Sequence, residues 1–263
     1  MPPRVLLFGC PNQPEFRDMH DWLQENLQLT TVQDIQPTPI DLNQFDLILI
    51  AMSLRFQFSL EAIQQLRDAA PLARICTIVG SWCEGETRSG QAWPAVERIY
   101  VHQVVPRAIY ENWQEQVPSS PSTFSNDEYW LARANQPSSP LPTDEGILVC
   151  SRDHESGQAI ALACQQAGFR TSTLPPDSFN SHDKVGIILY DADRNRQQRL
   201  KQIRQLANRH PTARLVTLLE FPRHDEISQI LAAGGHQVLG KPYNIDDLVA
   251  CLGQPTDLLS PDG

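Results

Sequence analysis

Apolar residues recur along the chain in two alternating rhythms. Short, nearly unbroken apolar runs, Val5 to Phe8, Phe45 to Ile50 and Arg74 to Val79, are separated by stretches in which apolar positions return every three or four residues. Phe16, Met19, Leu23 and Leu27 form one such stretch, and Leu60, Ile63 and Leu66 another. A run without polar interruption suits a strand covered on both faces, and the longer period marks one face of a helix. Thr30 to Val32 adds a short second strand and Ile99 to Val104 a fifth. The same order returns later: strand Ile147 to Cys150, a helix around Ile160 and Cys164, strands Phe169 to Leu174 and Val185 to Tyr190, and a helix with Leu200, Ile203 and Leu206. Strand Arg214 to Leu219, a helix with Ile227, Ile230 and Leu231, strand His236 to Leu239 and a helix with Leu248, Val249 and Leu252 complete it. Strands alternating with amphipathic helices predict parallel sheets covered on both faces, the doubly wound α/β class.

The recurrence extends to individual residues. Pro71-Leu72-Ala73-Arg74-Ile75-Cys76-Thr77-Ile78-Val79 matches Pro211-Thr212-Ala213-Arg214-Leu215-Val216-Thr217-Leu218-Leu219 at an offset of 140. At that same offset of 140, Ile63, Gln65 and Leu66 meet Ile203, Gln205 and Leu206, and Ile48 to Ala51 meets Ile188 to Asp191. An ungapped match across strand, helix and strand predicts two copies of one unit. Between them, Pro118-Ser119-Ser120-Pro121-Ser122 and Gln136-Pro137-Ser138-Ser139-Pro140-Leu141-Pro142 carry proline and serine at a density that disfavours helix and sheet alike. The expected organisation is a first domain over residues 1–112, a connector over 113–144, a second domain over 145–255 and a tail over 256–263. The aromatic island Tyr129-Trp130-Leu131 in the connector reads either as a short packed helix or as a docking peptide.

The formal net charge of −10 changes the picture of partners, since an acidic chain is repelled by nucleic-acid phosphates and by anionic membranes. The residues before and through Val5 to Phe8 are too short an apolar stretch for a signal peptide or a membrane span, so the expectation is a cytoplasmic protein. The six cysteines are scattered, without a Cys-x-x-Cys pair, and read as small buried hydrophobes rather than as a disulfide framework or a zinc site. Only a short tail follows Leu252, so no DNA-binding module is expected there.

The second copy resembles the receiver domains of bacterial two-component response regulators, over roughly residues 145–253. Lys241-Pro242 after the fifth strand is the best marker, and Asp191 stands at the end of the third. The resemblance implies a flavodoxin-like fold with a five-stranded parallel sheet in each copy, Asp191 as candidate phospho-acceptor and Lys241 as candidate contact to the phosphoryl group. It also implies a magnesium ion held by two acidic residues after the first strand, if this copy is a working receiver. Those positions here are Ser151 and Arg152, with Asp153 one step on, and Leu219 stands where a hydroxyl-bearing residue is usual. Magnesium requires hard oxygen ligands, so the loss of carboxylates and the gain of a guanidinium weaken the site. Asp153, Asp191 and Asp193 remain as an irregular candidate cluster. The first copy departs further: Ala51 replaces the aspartate, Gly9 and Cys10 the acidic pair, and Val105, before Pro106, the lysine. Without a carboxylate at position 51 it has no acceptor for a phosphoryl group.

One segment lies outside the resemblance. Gly80-Ser81-Trp82-Cys83-Glu84-Gly85-Glu86-Thr87-Arg88-Ser89-Gly90 follows the fourth strand of the first copy, at the sheet end where doubly wound folds form their ligand crevice. Thr77 to Pro106 spans 29 residues and Thr217 to Pro242 spans 25, which reads as a small insertion. Cys83 as nucleophile, His102 as its base and Arg88 as an anion holder make a candidate catalytic set. The alternative is a packed or protein-binding loop, with Arg88 paired to Glu84 or Glu86.

The function expected from all this is signalling or scaffolding without enzymatic activity, through protein contacts of two degenerate receiver-like domains. The partner expected is a protein, such as a sensor kinase or a signalling enzyme, and neither nucleic acid nor membrane. No cofactor is expected, magnesium excepted as above. By resemblance the contact face takes in Asp225 to Leu231 and Tyr243 to Asp247, with Ile227, Leu231 and an exposed Tyr243 as anchors. The basic residues Arg194, Arg196, Arg199, Lys201 and Arg204 read as a solvated helix face or a dock for an acidic partner. Two other functions stay open: a phospho-accepting regulator through Asp191 and Lys241, and an enzyme or ligand-binding protein that uses the loop from Cys83 to Arg88.

Overall fold

Side chains along a strand point alternately to opposite faces, so an apolar strand with helices on both sides feeds two cores at once. The computed structural model shows this arrangement twice. It describes residues 2–9, 12–35, 40–55, 57–83, 93, 96–117, 146–175, 185–241, 243 and 245–253. The chain divides into two compact units, Met1–Pro137 and Ser138–Gly263.

The first unit contains β1 (Arg4–Phe8), α1 (Pro14–Asn26), β2 (Gln28–Val32), β3 (Leu47–Met52), α2 (Leu60–Ala69), β4 (Arg74–Val79), β5 (Glu97–Tyr100) and α3 (Val104–Tyr110), with short 3-10 turns at Leu42–Gln44 and Val101–Gln103. All pairings are parallel and the strand order is β2-β1-β3-β4-β5. Val5, Leu7, Leu47 and Leu49 face Phe16, Met19 and Leu23 of α1, whereas Leu6, Phe8, Ile48 and Ile50 face Ile63 and Leu66 of α2. The helices start where their sequences allow: Pro14 occupies the first turn of α1, and the Ser59 hydroxyl caps α2 by accepting from the Ala62 amide at 3.1 Å.

The second unit contains β6 (Gly146–Cys150), α4 (His154–Gln166), β7 (Thr171–Leu174), β8 (Val185–Asp191), α5 (Arg196–Arg209), β9 (Arg214–Glu220), α6 (His224–Ala232), β10 (Gln237–Lys241) and α7 (Ile245–Leu252). Its sheet is also wholly parallel, in the order β10-β9-β8-β6-β7. Both orders read 2-1-3-4-5 within their unit, the flavodoxin-like doubly wound topology that the sequence predicts.

Register corrects the sequence alignment at one place. Glu97 lies opposite Cys76 and Gln237 opposite Val216, so the offset of 140 continues into the fifth strands and the loop before β5 contains no insertion. The expected strand Ile99 to Val104 ends at Tyr100, because Val101–Gln103 closes into a 3-10 turn and α3 follows at once. Pro106 therefore sits in the first turn of a helix, where a missing N–H costs nothing, and does not correspond to Pro242. The residue of the first unit that matches Lys241 is Val101, not Val105.

A buried polar network underlies the first sheet. Arg74, at the start of β4, donates to Glu97 at 2.5 Å and to Glu111 at 2.5 Å, and Arg107 of α3 donates to Glu97 at 2.6 Å and to Glu111 at 2.5 Å. The indole of Trp113, itself fully buried, donates to Glu111 at 2.8 Å. Two cations and two anions balance, as burial of charge demands. Burial alone would raise the Glu111 carboxyl, but Arg74 and Arg107 hold it down at about 2.

Candidate functional site at the carboxyl ends of the second sheet

β6 and β8 end side by side and β10 ends one strand further on, beyond β9, and residues at these ends carry the site. Asp191 closes β8 with its side chain 11% exposed. Lys241 closes β10 and its ammonium contacts the Asp191 Oδ1. Ser151 follows β6 and its hydroxyl donates to the Asp191 Oδ2 at 2.7 Å. Both carboxylate oxygens are thus taken. Arg152 pairs with Asp193 at 3.0 Å, and the Asp193 Oδ1 accepts from the Asn195 amide at 2.8 Å. Asp153 is committed elsewhere: it caps α4, accepting from the amides of Glu155 at 2.9 Å and Ser156 at 3.3 Å, and those backbone bonds lower its pKa.

The three candidate carboxylates therefore do not converge. Among the described residues no group of three or more His, Cys, Asp and Glu side chains is placed to hold a metal ion. With Arg152 already seated on Asp193, and Ser151 in place of a carboxylate, the donor set does not fit a divalent cation. A cleft of about 250 Å³ opens beside these residues, lined by Ser151, Arg152, Asp153, His154, Thr173 and Leu174 among others.

The first sheet ends differently. Ala51 takes the place of Asp191, each standing opposite the residue 140 apart on the next strand, Ile78 and Leu218. Gly9 takes the place of Ser151 at a φ of +116°, with the Ala51 carbonyl oxygen only 2.6 Å from where a Cβ would stand. The polar set Ser151, Asp191 and Lys241 is replaced by Gly9, Ala51 and Val101. Cys10 lies outside the described residues.

The other candidates fall out as follows. Cys83 is fully buried in an apolar cluster with Met52 and Val79, against which Trp93 and Tyr100 pack, while Trp82 is 76% exposed. His102 lies on the 3-10 turn rather than on a strand, stacked on Tyr100 at 5.9 Å, and burial pushes its imidazole down to about 4. Arg88, Glu84 and Glu86 lie outside the described residues, as does Tyr129-Trp130-Leu131. Cys76, Cys83, Cys150, Cys164 and Cys251 are all buried.

On the expected contact face, Leu231 is 45% exposed and Ile227 is partly buried against the core. Tyr243 is not the exposed anchor expected: it packs on the cluster of Cys164 and Leu248, and burial raises its phenol to about 12. Asp247 is buried as well. Nor do the arginines before and along α5 form one solvated face. Arg199 is buried and paired with Glu226 at 2.6 Å, and Arg194 pairs with Glu220 at 3.1 Å. Sequence reasoning missed Ser151 as a donor and Arg199 as a core residue. Arg199 does fall four residues before Ile203, on the apolar stripe, which is the signal that separates it from its exposed neighbours.

The fold and the sheet ends define the class: two flavodoxin-like α/β units, of which the second carries an aspartate, a lysine and a serine in mutual contact. Solved structures similar to the chain include response regulators and a CheY-like protein. One is a response regulator protein from Burkholderia pseudomallei, solved with a phosphorylated aspartic acid, calcium ion and citrate, at 19% identity and a TM-score of 0.38, covering 43% of this chain and 68% of that one. Another is a response regulator from Thermotoga maritima, at 18% identity and a TM-score of 0.38, covering 42% of this chain and 95% of that one. A third is a CheY-like protein from Pseudomonas aeruginosa, at 9% identity and a TM-score of 0.37, covering 41% of this chain and 97% of that one. No family model and no curated protein sequence matches the chain. Among the described residues no helix is long and apolar enough to cross a membrane.

Proposed function

We propose that the chain is a signalling protein that acts through protein contacts of two receiver-like domains, neither of which depends on phosphoryl transfer. The observation that carries this reading is the closed polar set of the second sheet. Asp191 is engaged on both oxygens by Lys241 and Ser151, and Arg152 supplies to Asp193 the positive charge that a metal ion would otherwise bring. Phosphoryl transfer depends on cations aimed at the charge that develops on the transferred group. Here the cations are already spent on fixed carboxylates. In the first sheet Ala51 offers no oxygen nucleophile at all.

A second reading, a phospho-accepting regulator, is favoured by one observation: Asp191 stands at the end of its strand with an ammonium beside its carboxylate. Titration of the full chain with magnesium and beryllofluoride, followed by amide NMR with Asp191→Ala as control, separates the two. The first reading expects no saturable shifts around Asp191 and Lys241. Shifts that saturate and vanish in the control would replace it with the second.

A further inference from the structure

Helix α5 begins a full turn earlier than its counterpart α2. At the offset of 140, Ser59, the residue that caps α2, corresponds to Arg199, already the fourth residue of α5. That added turn carries a guanidinium into the interior of the second unit, where Arg199 is 2% exposed. Its Nη1 donates to the backbone carbonyl of Asp193 at 3.3 Å and its Nη2 to the Glu226 carboxylate at 2.6 Å, while its Nε is buried without a partner. An aliphatic side chain would fill the same place without an unmatched donor, so packing alone does not call for this residue.

What Arg199 joins is specific. On one side, Asp193 holds Arg152 through its carboxylate at 3.0 Å, and its amide donates to the Tyr190 hydroxyl at 3.4 Å. On the other, Glu226 is the third residue of α6, and its second carboxylate oxygen accepts from the Arg223 amide at 3.3 Å, which closes the first turn of that helix. Two further contacts cross the same gap, Arg194 to Glu220 at 3.1 Å and Arg196 to Gln229 at 2.7 Å, but both lie in solvent, where screening weakens them. The link through Arg199 is the most shielded of the three.

We propose that Arg199 is a positioning residue that couples the turn after β8 to helix α6, so that a change at the Arg152–Asp193 pair is passed to the outer face of α6, where Leu231 is exposed. The coupling runs through a backbone carbonyl and a helix cap, and it holds whether or not Asp191 ever accepts a phosphoryl group. In the first unit the position of Arg199 is held by Ser59, the residue that caps α2.

Amide hydrogen exchange on the full chain tests this. Arg152→Ala, a change at a half-exposed side chain, is compared in the native background and together with Arg199→Met. Expected is a three- to tenfold loss of protection in α6 on Arg152→Ala alone. With Arg199→Met present, Arg152→Ala should leave α6 within twofold of the Arg199→Met chain, while α4 and the first unit keep their protection throughout. If Arg199→Met disrupts the fold, Glu226→Gln weakens the same link from the other end and should blunt the effect of Arg152→Ala in the same way. The proposal is overturned if Arg152→Ala leaves α6 unchanged, or changes it equally with and without the Arg199 link.

Discussion

Lys241, at the end of β10, reaches past the end of the intervening strand β9 to the carboxylate of Asp191 on β8. The contact ties together two strands that share no backbone hydrogen bonds, and Ser151, just after β6, completes it from the far side.

Asp191→Ala therefore strands two donors at once. A partly buried ammonium and a buried hydroxyl lose their acceptor, which costs about 1–3 kcal/mol. Urea titration of the full chain should show the second unit unfolding earlier by that amount, with the first unit unchanged. An increase in stability would mean that Asp191 is itself a strained acid held in place for another purpose.

Gly9→Ala is predicted to destabilise the first unit by about 2–3 kcal/mol, because the backbone stands at a φ of +116° and the new Cβ would meet the Ala51 carbonyl oxygen at 2.6 Å. For the same reason Gly9→Asp does not rebuild an acidic pair in this unit. Thermal unfolding of the two variants checks both statements, and tolerance of either would show that the β1 end can relax.

The Glu97 and Glu111 network makes the first unit acid-labile. Glu111 has its folded pKa at about 2, below the ordinary value of 4.5, so its contribution is fully present above pH 4.5 and is lost as the pH falls towards 2. Glu111→Gln removes that pH dependence and, by leaving Arg74 and Arg107 short of charge, costs about 3–5 kcal/mol at neutral pH. Trp113, whose indole rests on Glu111, supplies a fluorescence signal for the transition.

Cys83 should label slowly. Its thiol is shut into the Met52 and Val79 cluster, out of reach of a reagent in solution. In a chain whose other cysteines are replaced by serine or alanine, reaction with a disulfide reagent should run at least about a hundredfold slower than in denaturant. A rate near that of the unfolded chain would reopen the loop from Cys83 as a reactive site.

Much of this was legible in the chain alone. Unbroken runs such as Leu47 to Met52 and Arg74 to Val79 can form little else than buried parallel strands, and the offset of 140 ties the units together residue by residue. The presence of Asp191 and Lys241 in the second unit, and of Ala51 in the first, follows from that alignment. Partnering does not, because a linear pattern records which residues are apolar and not which polar atoms meet. That Ser151 faces Asp191, that Arg152 rests on Asp193 and that Asp153 turns away to cap α4 are decided by where β6 ends against β8. Register likewise moved the lysine's counterpart from Val105 to Val101, since the sequence anchored that comparison on a proline that proved to be helical. Periodicity is a local property and fixes elements; Asp191 and Lys241 lie 50 residues apart and become partners only when the sheet closes.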